Sequence, residues 1–169
     1  MRYTPCVSLS GCNMGALNDL LRLAHERIQD TNSSYAGALT PAEAHRVWQS
    51  APGAKLVDVR TRAELTFVGR IPGAVEIEWL HYPGGGQNPY FLRQLSAEVD
   101  REALLLFICR SGHYSGLAAT AATEHGFTAC YNVLEGFEGE LDANRQRGKI
   151  GGWRFAGLPW VSDANGRMA

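Results

Sequence analysis

The sequence predicts an α/β protein in which a mostly parallel sheet is covered by helices on both faces. Three observations carry that expectation. From about residue 40 onward, short apolar runs alternate with helix-forming segments, the pattern of strands joined by crossover helices. One run, Leu104 to Ile108, is wholly apolar and reads as a buried strand. A cysteine, Cys109, ends that run, and a polar loop then leads into an Ala-rich segment, Gly116 to Thr123, of helical composition.

The elements follow in order. Pro5, Ser8, Ser10 and Gly11 break any period over residues 1–13, which also hold Cys6 and Cys12. Leu17, Leu20, Leu21, Ala24 and Ile28 recur at helical spacing, with Asn18, Asp19, Arg22, Glu26 and Arg27 opposite, so residues 14–29 read as an amphipathic helix. Packing on its own domain is the preferred role for this helix, and a partner contact is the alternative. Residues 30–37, DTNSSYAG, read as a linker. The main domain starts near Ala38. Thr40, Pro41 and Glu43 form a capping sequence for a helix whose apolar side is Ala44, Val47, Trp48 and Ala51. Pro52-Gly53 ends it. Lys55 to Val59 is a short buried strand, interrupted by Asp58, which therefore needs partners. Thr61 and Glu64 repeat the capping spacing over a short helix.

Gly69 to Gly73 is a turn, Ala74 to Ile77 the next strand, and Gly84 to Gly86 a flexible loop. Asn88 and Pro89 start a helix carrying Phe91, Leu92 and Leu95. The Ala-rich helix ends at His125-Gly126. Ala129 to Val133 is the last strand, and Cys130 within it reads as a buried structural thiol. The expected division is an extension over 1–37, an α/β domain over 38–144 and a tail over 145–169. In the tail, Trp153, Phe155, Leu158 and Trp160 are expected to cover a core or groove. Arg145, Arg147, Lys149 and Arg154 read as a solvated basic face, with docking of an acidic partner as the alternative.

Composition narrows the function. A net charge of −1 argues against a general nucleic-acid binder. Hydrophobic content of 45% with 20% charged residues is that of a soluble globular chain. Met1 to Gly15 holds no apolar run of signal-peptide length, and no stretch approaches the ~18 residues of a membrane helix. The four cysteines form no C-x-x-C pair and the histidines are scattered, which argues against a zinc site. With no export signal, the cysteines read as reduced thiols in a cytoplasm.

Cys109 is the candidate reactive group. It sits where a strand ends and a helix begins, the edge at which α/β sheets present reactive side chains. Backbone N–H groups point outward there and favour an anion. A thiol so held is expected to favour its thiolate. The alternative is a small buried hydrophobe.

Four segments in order, LVDVRTRAEL (56–65), GRIPGAVEI (69–77), FICRSGHYS (107–115) and NVLEGFEG (132–139), resemble the single-domain rhodaneses, the rhodanese-like sulfurtransferase domains. The resemblance covers about residues 38–140. It implies a three-layer α/β fold around a mostly parallel five-stranded sheet. It implies a catalytic cysteine, matched by Cys109, and an anion-cradling loop of Arg110, Ser111, Gly112, His113, Tyr114 and Ser115. It further implies transfer of sulfane sulfur from a small donor, such as thiosulfate or a persulfide, to a thiol or sulfur-carrier protein, with no metal or organic cofactor. Cys6 and Cys12 are then either thiols that resolve an oxidised or persulfidated Cys109 or incidental thiols.

Departures from the family pattern refine this. Family loops often read C-R-S-G-x-R-S; here Tyr114 replaces the second arginine, which puts thiosulfate in doubt as a good donor. Arg110 keeps one positive charge beside Cys109. His113 either adds a second when protonated or is an exposed loop residue. Arg70 stands where histidine is usual and Glu135 where glycine is common, both read as structural or peripheral. Asp58 is expected to be a structural carboxylate. Arg60 either lies at the site mouth or pairs with Glu64 on the surface. Two other functions stay open. A related phosphatase needs an arginine where Ser115 stands, and a non-catalytic binding module would not need Cys109.

Overall fold

The computed structural model describes residues 10–162, with side chains from residue 14 onward. Five strands form one sheet: β1 (Gly37–Leu39), β2 (Lys55–Asp58), β3 (Val75–Glu76), β4 (Leu104–Ile108) and β5 (Ala129–Val133). Their spatial order is β1-β5-β4-β2-β3, and every pairing is parallel. The chain is thus α/β with the expected five strands and a wholly parallel sheet. Only four of the strands are visible as sequence patterns. The fifth, β1, lies where residues 30–37 read as a linker running into the domain; it is three residues long and exists through its pairing with β5.

The helices are α1 (Ser10–Glu26), α2 (Pro41–Ser50), α3 (Arg62–Val68), α4 (Phe91–Glu98) and α5 (His113–Glu124). Thr40 and Thr61 cap α2 and α3, each closing a reciprocal capping box with Glu43 and Glu64. Asn88 Oδ1 accepts from Tyr90 N at 3.0 Å and so turns the chain into α4. At the other end of the Ala-rich helix, Gly126 has φ +99°, as its place after the last turn requires.

β4 lies near the middle of the sheet and is buried on both sides, which is why it reads as a continuous apolar run. Successive side chains alternate between two cores. Val57, Leu105, Phe107 and Cys109 join Phe91, Leu95, Ala118 and Ala122 beneath α4 and α5. Leu56, Leu106, Ile108 and Val133 join Ala24, Ala44, Val47, Phe137 and Trp153 beneath α1, α2 and the tail. These are the three layers.

Helix α1 packs on the domain through Leu17 and Ala24, and Ile28 is buried in the turns that follow it. The helix is further tied by Arg27, just past its end, which donates to both carboxylate oxygens of Glu43 at 2.5 and 2.8 Å. It ends earlier than the apolar period suggests, because residues 27–32 form turns. Cys6 and the side chain of Cys12 lie outside the described residues. No helix among the described residues is long and apolar enough to cross a membrane.

Two expectations about the tail are corrected. Only Arg145 and Lys149 of the basic stretch are solvated. Arg147 donates to Gly139 O at 2.7 Å, and Arg154 lies 5.1 Å over the Trp160 ring and 5.7 Å over Phe137. The aromatics divide as well: Trp153 is fully buried, edge-on to His45, whereas Phe155 is more than half exposed.

Candidate active site

Alternation along β4 delivers the Cys109 side chain to the α5 side of the sheet, 3% exposed. The chain then needs to reverse into α5 within three residues. Gly112 does this with φ +98°, a conformation that favours glycine. Its N–H, at the helix N-cap, donates to Cys109 Sγ at 3.1 Å. No side chain caps α5 and no acidic residue lies in its first turn. The positive end of a twelve-residue helix therefore faces the sulfur.

The loop is shorter than expected. His113, Tyr114 and Ser115 are the first turn of α5 rather than loop. Ser115 is buried, with its Oγ 3.2 Å from Cys109 Sγ. His113 and Tyr114 are exposed, in edge contact at 5.2 Å between ring centroids. Arg110 is exposed too, and its backbone carbonyl accepts from Glu138 N at 2.9 Å.

A cavity of about 430 Å³ opens at the sulfur. Val59, Trp79, Leu80 and Tyr114 supply its apolar wall, while Arg110, Ser111, His113, Thr61 and Glu64 supply polar groups. That volume is large for a small inorganic anion and fits an organic molecule of modest size.

Arg60 goes elsewhere than expected. Its residue lines the cavity, but its side chain is fully buried, so only its main chain faces the opening. The guanidinium turns back to Asp58, with Nε to Oδ1 at 2.9 Å and Nη2 to Oδ2 at 2.7 Å. It also lies 3.9 Å over the Phe137 ring. The surface pair with Glu64 is replaced by this buried pair, because Glu64 is held by the Thr61 N–H and hydroxyl, each at 2.9 Å. Asp58 is fully buried, and Arg60 is its partner.

Behind the loop lies the turn 135–139. Phe137 N donates to Cys109 O at 2.8 Å and Glu138 N to Arg110 O at 2.9 Å. Gly136 sits so close that an added Cβ would come within 2.6 Å of Ser111 N. Glu135 has φ +64°, which gives a physical reason for glycine being common there. Its carboxylate accepts from Gly152 N at 2.9 Å, and Trp153 N donates to Gly136 O at 2.8 Å, so the tail braces this turn. Arg70 is likewise structural: it exchanges backbone bonds with Val161 at 2.9 Å and faces Glu76 at 3.5 Å.

One contributor was not anticipated. Asn132, on β5, is 4% exposed and contacts both Gly112 and Ser115. A polar residue between Tyr131 and Val133 in a buried strand is the signal that could have found it, as Asp58 was found.

Fold and site together define an α/β protein with a thiol at a strand-to-helix junction beneath an open cavity. The chain belongs to the rhodanese-like family: the model of the Rhodanese-like domain matches residues 41–142. The crystal structure of Rv0390 from M. tuberculosis is similar at 46% identity with a TM-score of 0.70, covering 76% of this chain and 98% of that one. The uncharacterized protein RC0915 of Rickettsia conorii is 36% identical over 107 residues, 62% of this chain and 80% of its own length. Thiosulfate sulfurtransferase 16, a chloroplastic protein of Arabidopsis thaliana, is 30% identical over 87 residues, 50% of this chain and 72% of its own length.

Proposed function

We propose that this chain is a sulfurtransferase that carries sulfane sulfur on Cys109. The observation that carries the reading is the Cys109 sulfur at the foot of an open cavity, facing the uncapped N-terminus of α5 and receiving the Gly112 N–H. Membership of the rhodanese-like family and the name of the Arabidopsis relative support the same chemistry.

The Cys109 thiolate attacks the outer sulfur of the donor. A new S–S bond forms, and the bond between the donor's two sulfurs breaks. The bonding pair leaves with the remainder, as sulfite from thiosulfate or as a thiolate from an organic persulfide. The product on the protein is the anionic Cys109 persulfide. An acceptor thiolate, on a small molecule or a sulfur-carrier protein, then attacks the terminal sulfur and regenerates the Cys109 thiolate. Charge and sulfur balance in both halves. Splitting the transfer in two is the gain of covalent catalysis, and the backbone donors at the helix start stabilise the anionic sulfur in each half. Arg110 supplies positive charge at the mouth, and Tyr114 shapes the wall without a bidentate grip on a sulfonate. The scheme uses no cofactor. The scheme needs Cys109 as a free thiol, which suits a reducing compartment such as the cytoplasm.

The test is intact-mass analysis after incubation with thiosulfate and, separately, with glutathione persulfide. The expected result is an adduct of one sulfur atom that is absent from Cys109→Ser. No adduct from any sulfane donor would overturn the assignment.

A further inference from the structure

Asn132 bridges the two groups that touch Cys109 Sγ. Its Nδ2 donates to Gly112 O at 3.1 Å. A carbonyl oxygen only accepts, so this bond fixes which way round the amide lies. Oδ1 must then face Ser115, and Ser115 Oγ donates to it at 2.7 Å. A hydroxyl has one hydrogen. With that hydrogen committed to Asn132, Ser115 presents only lone pairs to Cys109 Sγ at 3.2 Å. That contact suits a thiol, which donates its S–H to Ser115. It opposes a thiolate, which finds a lone pair where it needs a donor.

We propose that Ser115 and Asn132 are positioning residues that form a two-state hydrogen-bond relay behind Cys109. In the thiol state the order is Sγ–H to Ser115 Oγ and Ser115 O–H to Asn132 Oδ1. When the thiol ionises, its proton leaves to solvent and the Ser115 hydroxyl turns from Oδ1 to donate to Sγ. Asn132 keeps its bond to the Gly112 carbonyl in both states, holding the Gly112 N–H on the sulfur. Ser115 and Asn132 are both buried, so water does not compete for their hydrogen bonds.

The proposal rests on Cys109 being the reactive thiol, but its test does not need turnover. The titratable and charged residues around the cavity are Arg60 after β2, Glu64 on α3, Arg110 on the loop, and His113 and Tyr114 on α5; all stay unchanged in the variants. Thiolate is read from its ultraviolet absorbance and from the rate of iodoacetamide alkylation against pH, with Cys109→Ser as the blank. Ser115→Ala is expected to move the ionisation midpoint up by about one pH unit, through loss of a hydrogen bond to a charged group. Ser115→Thr, which keeps the hydroxyl, restores it. Persulfide formation by Ser115→Ala recovers at high pH. Asn132→Ala loses the hold on Gly112 and stays slow at every pH. A Ser115→Ala curve that overlays the unchanged protein overturns the relay. A second reading needs no variant. The Asn132 side-chain amide signals should shift in NMR with the same midpoint as the thiolate absorbance, and signals flat through that range overturn the proposal. If ionisation behaves as described and no persulfide forms with any donor, the relay stands and the sulfurtransferase assignment falls.

Discussion

Asp58→Ala tests the buried pair beneath the site. Both side chains are fully buried, and the carboxylate takes Arg60 Nε, Nη2 and backbone N–H. Arg60 Nη1 already lacks a hydrogen-bond partner. Truncating Asp58 therefore leaves a guanidinium in the core with the Phe137 face at 3.9 Å as its remaining charge-stabilising contact. Removing one member of such a pair costs about 3–5 kcal/mol. With a urea dependence of about 2–3 kcal/mol/M, the unfolding midpoint should fall by about 1–2 M. The double variant Asp58→Leu with Arg60→Met removes both charges and keeps apolar volume, and it should lie within about 1 kcal/mol of the parent. Urea unfolding of Asp58→Leu, Arg60→Met and the double variant gives the coupling directly. A loss below about 1 kcal/mol in Asp58→Ala, or a double variant as unstable as the sum of the singles, would refute the assignment of this pair as the carboxylate's support.

Tyr114→Arg adds a bidentate cation at the cavity wall, and thiosulfate kcat/KM should rise about tenfold; unchanged turnover would show that the position does not meet the donor. Gly136→Ala forces a Cβ into the Ser111 backbone at a positive φ of 64°; it should destabilise by at least about 3 kcal/mol and slow persulfide formation, checked by urea unfolding and mass analysis together. Burial pushes the Cys130 thiol up to about 11 and also raises the Tyr131 hydroxyl. Both stay neutral in the folded protein while the unfolded chain ionises, so the stability they contribute is complete below about pH 8.5 and is lost as pH rises toward 11, roughly 2–3 kcal/mol for Cys130. Unfolding midpoints at pH 8, 9.5 and 10.5 check this, and iodoacetamide at pH 8 should leave Cys130 unlabelled in the folded protein.

Local rules made much of the fold legible. Thr40 and Thr61 announced their helices because capping boxes are contiguous in sequence. β4 and β5 announced themselves because strands in the middle of a parallel sheet are buried on both faces. β1 stayed hidden because Gly37-Ala38-Leu39 is too short for a period and is held by a partner almost a hundred residues away in the chain. The same locality explains the site. Cys109 and its loop could be read in one stretch, but Arg60 had carboxylates within reach on both sides, Asp58 and Glu64, and the Phe137 ring under its guanidinium comes from far along the chain. Likewise the contacts of Ser115 depended on Asn132 across a strand. The end of the loop was misplaced because Gly112 both finishes the turn and caps the helix, so His113 to Ser115 look like loop until the helix is built.

The bracing of the 135–139 turn by the tail changes what counts as the working unit of this chain. The family match ends at residue 142, and no residue beyond it lines the cavity around Cys109. A chain cut at that boundary keeps the thiol, Ser115 and Asn132, yet it loses the Gly152 N–H that holds Glu135 and the Trp153 side chain that fills the second core. Its loop backbone would rest on an unbraced turn over an opened apolar groove. Truncation should therefore impair solubility together with any persulfide chemistry at Cys109, and a chain trimmed to its recognisable domain would look inactive for reasons of mechanics rather than of chemistry.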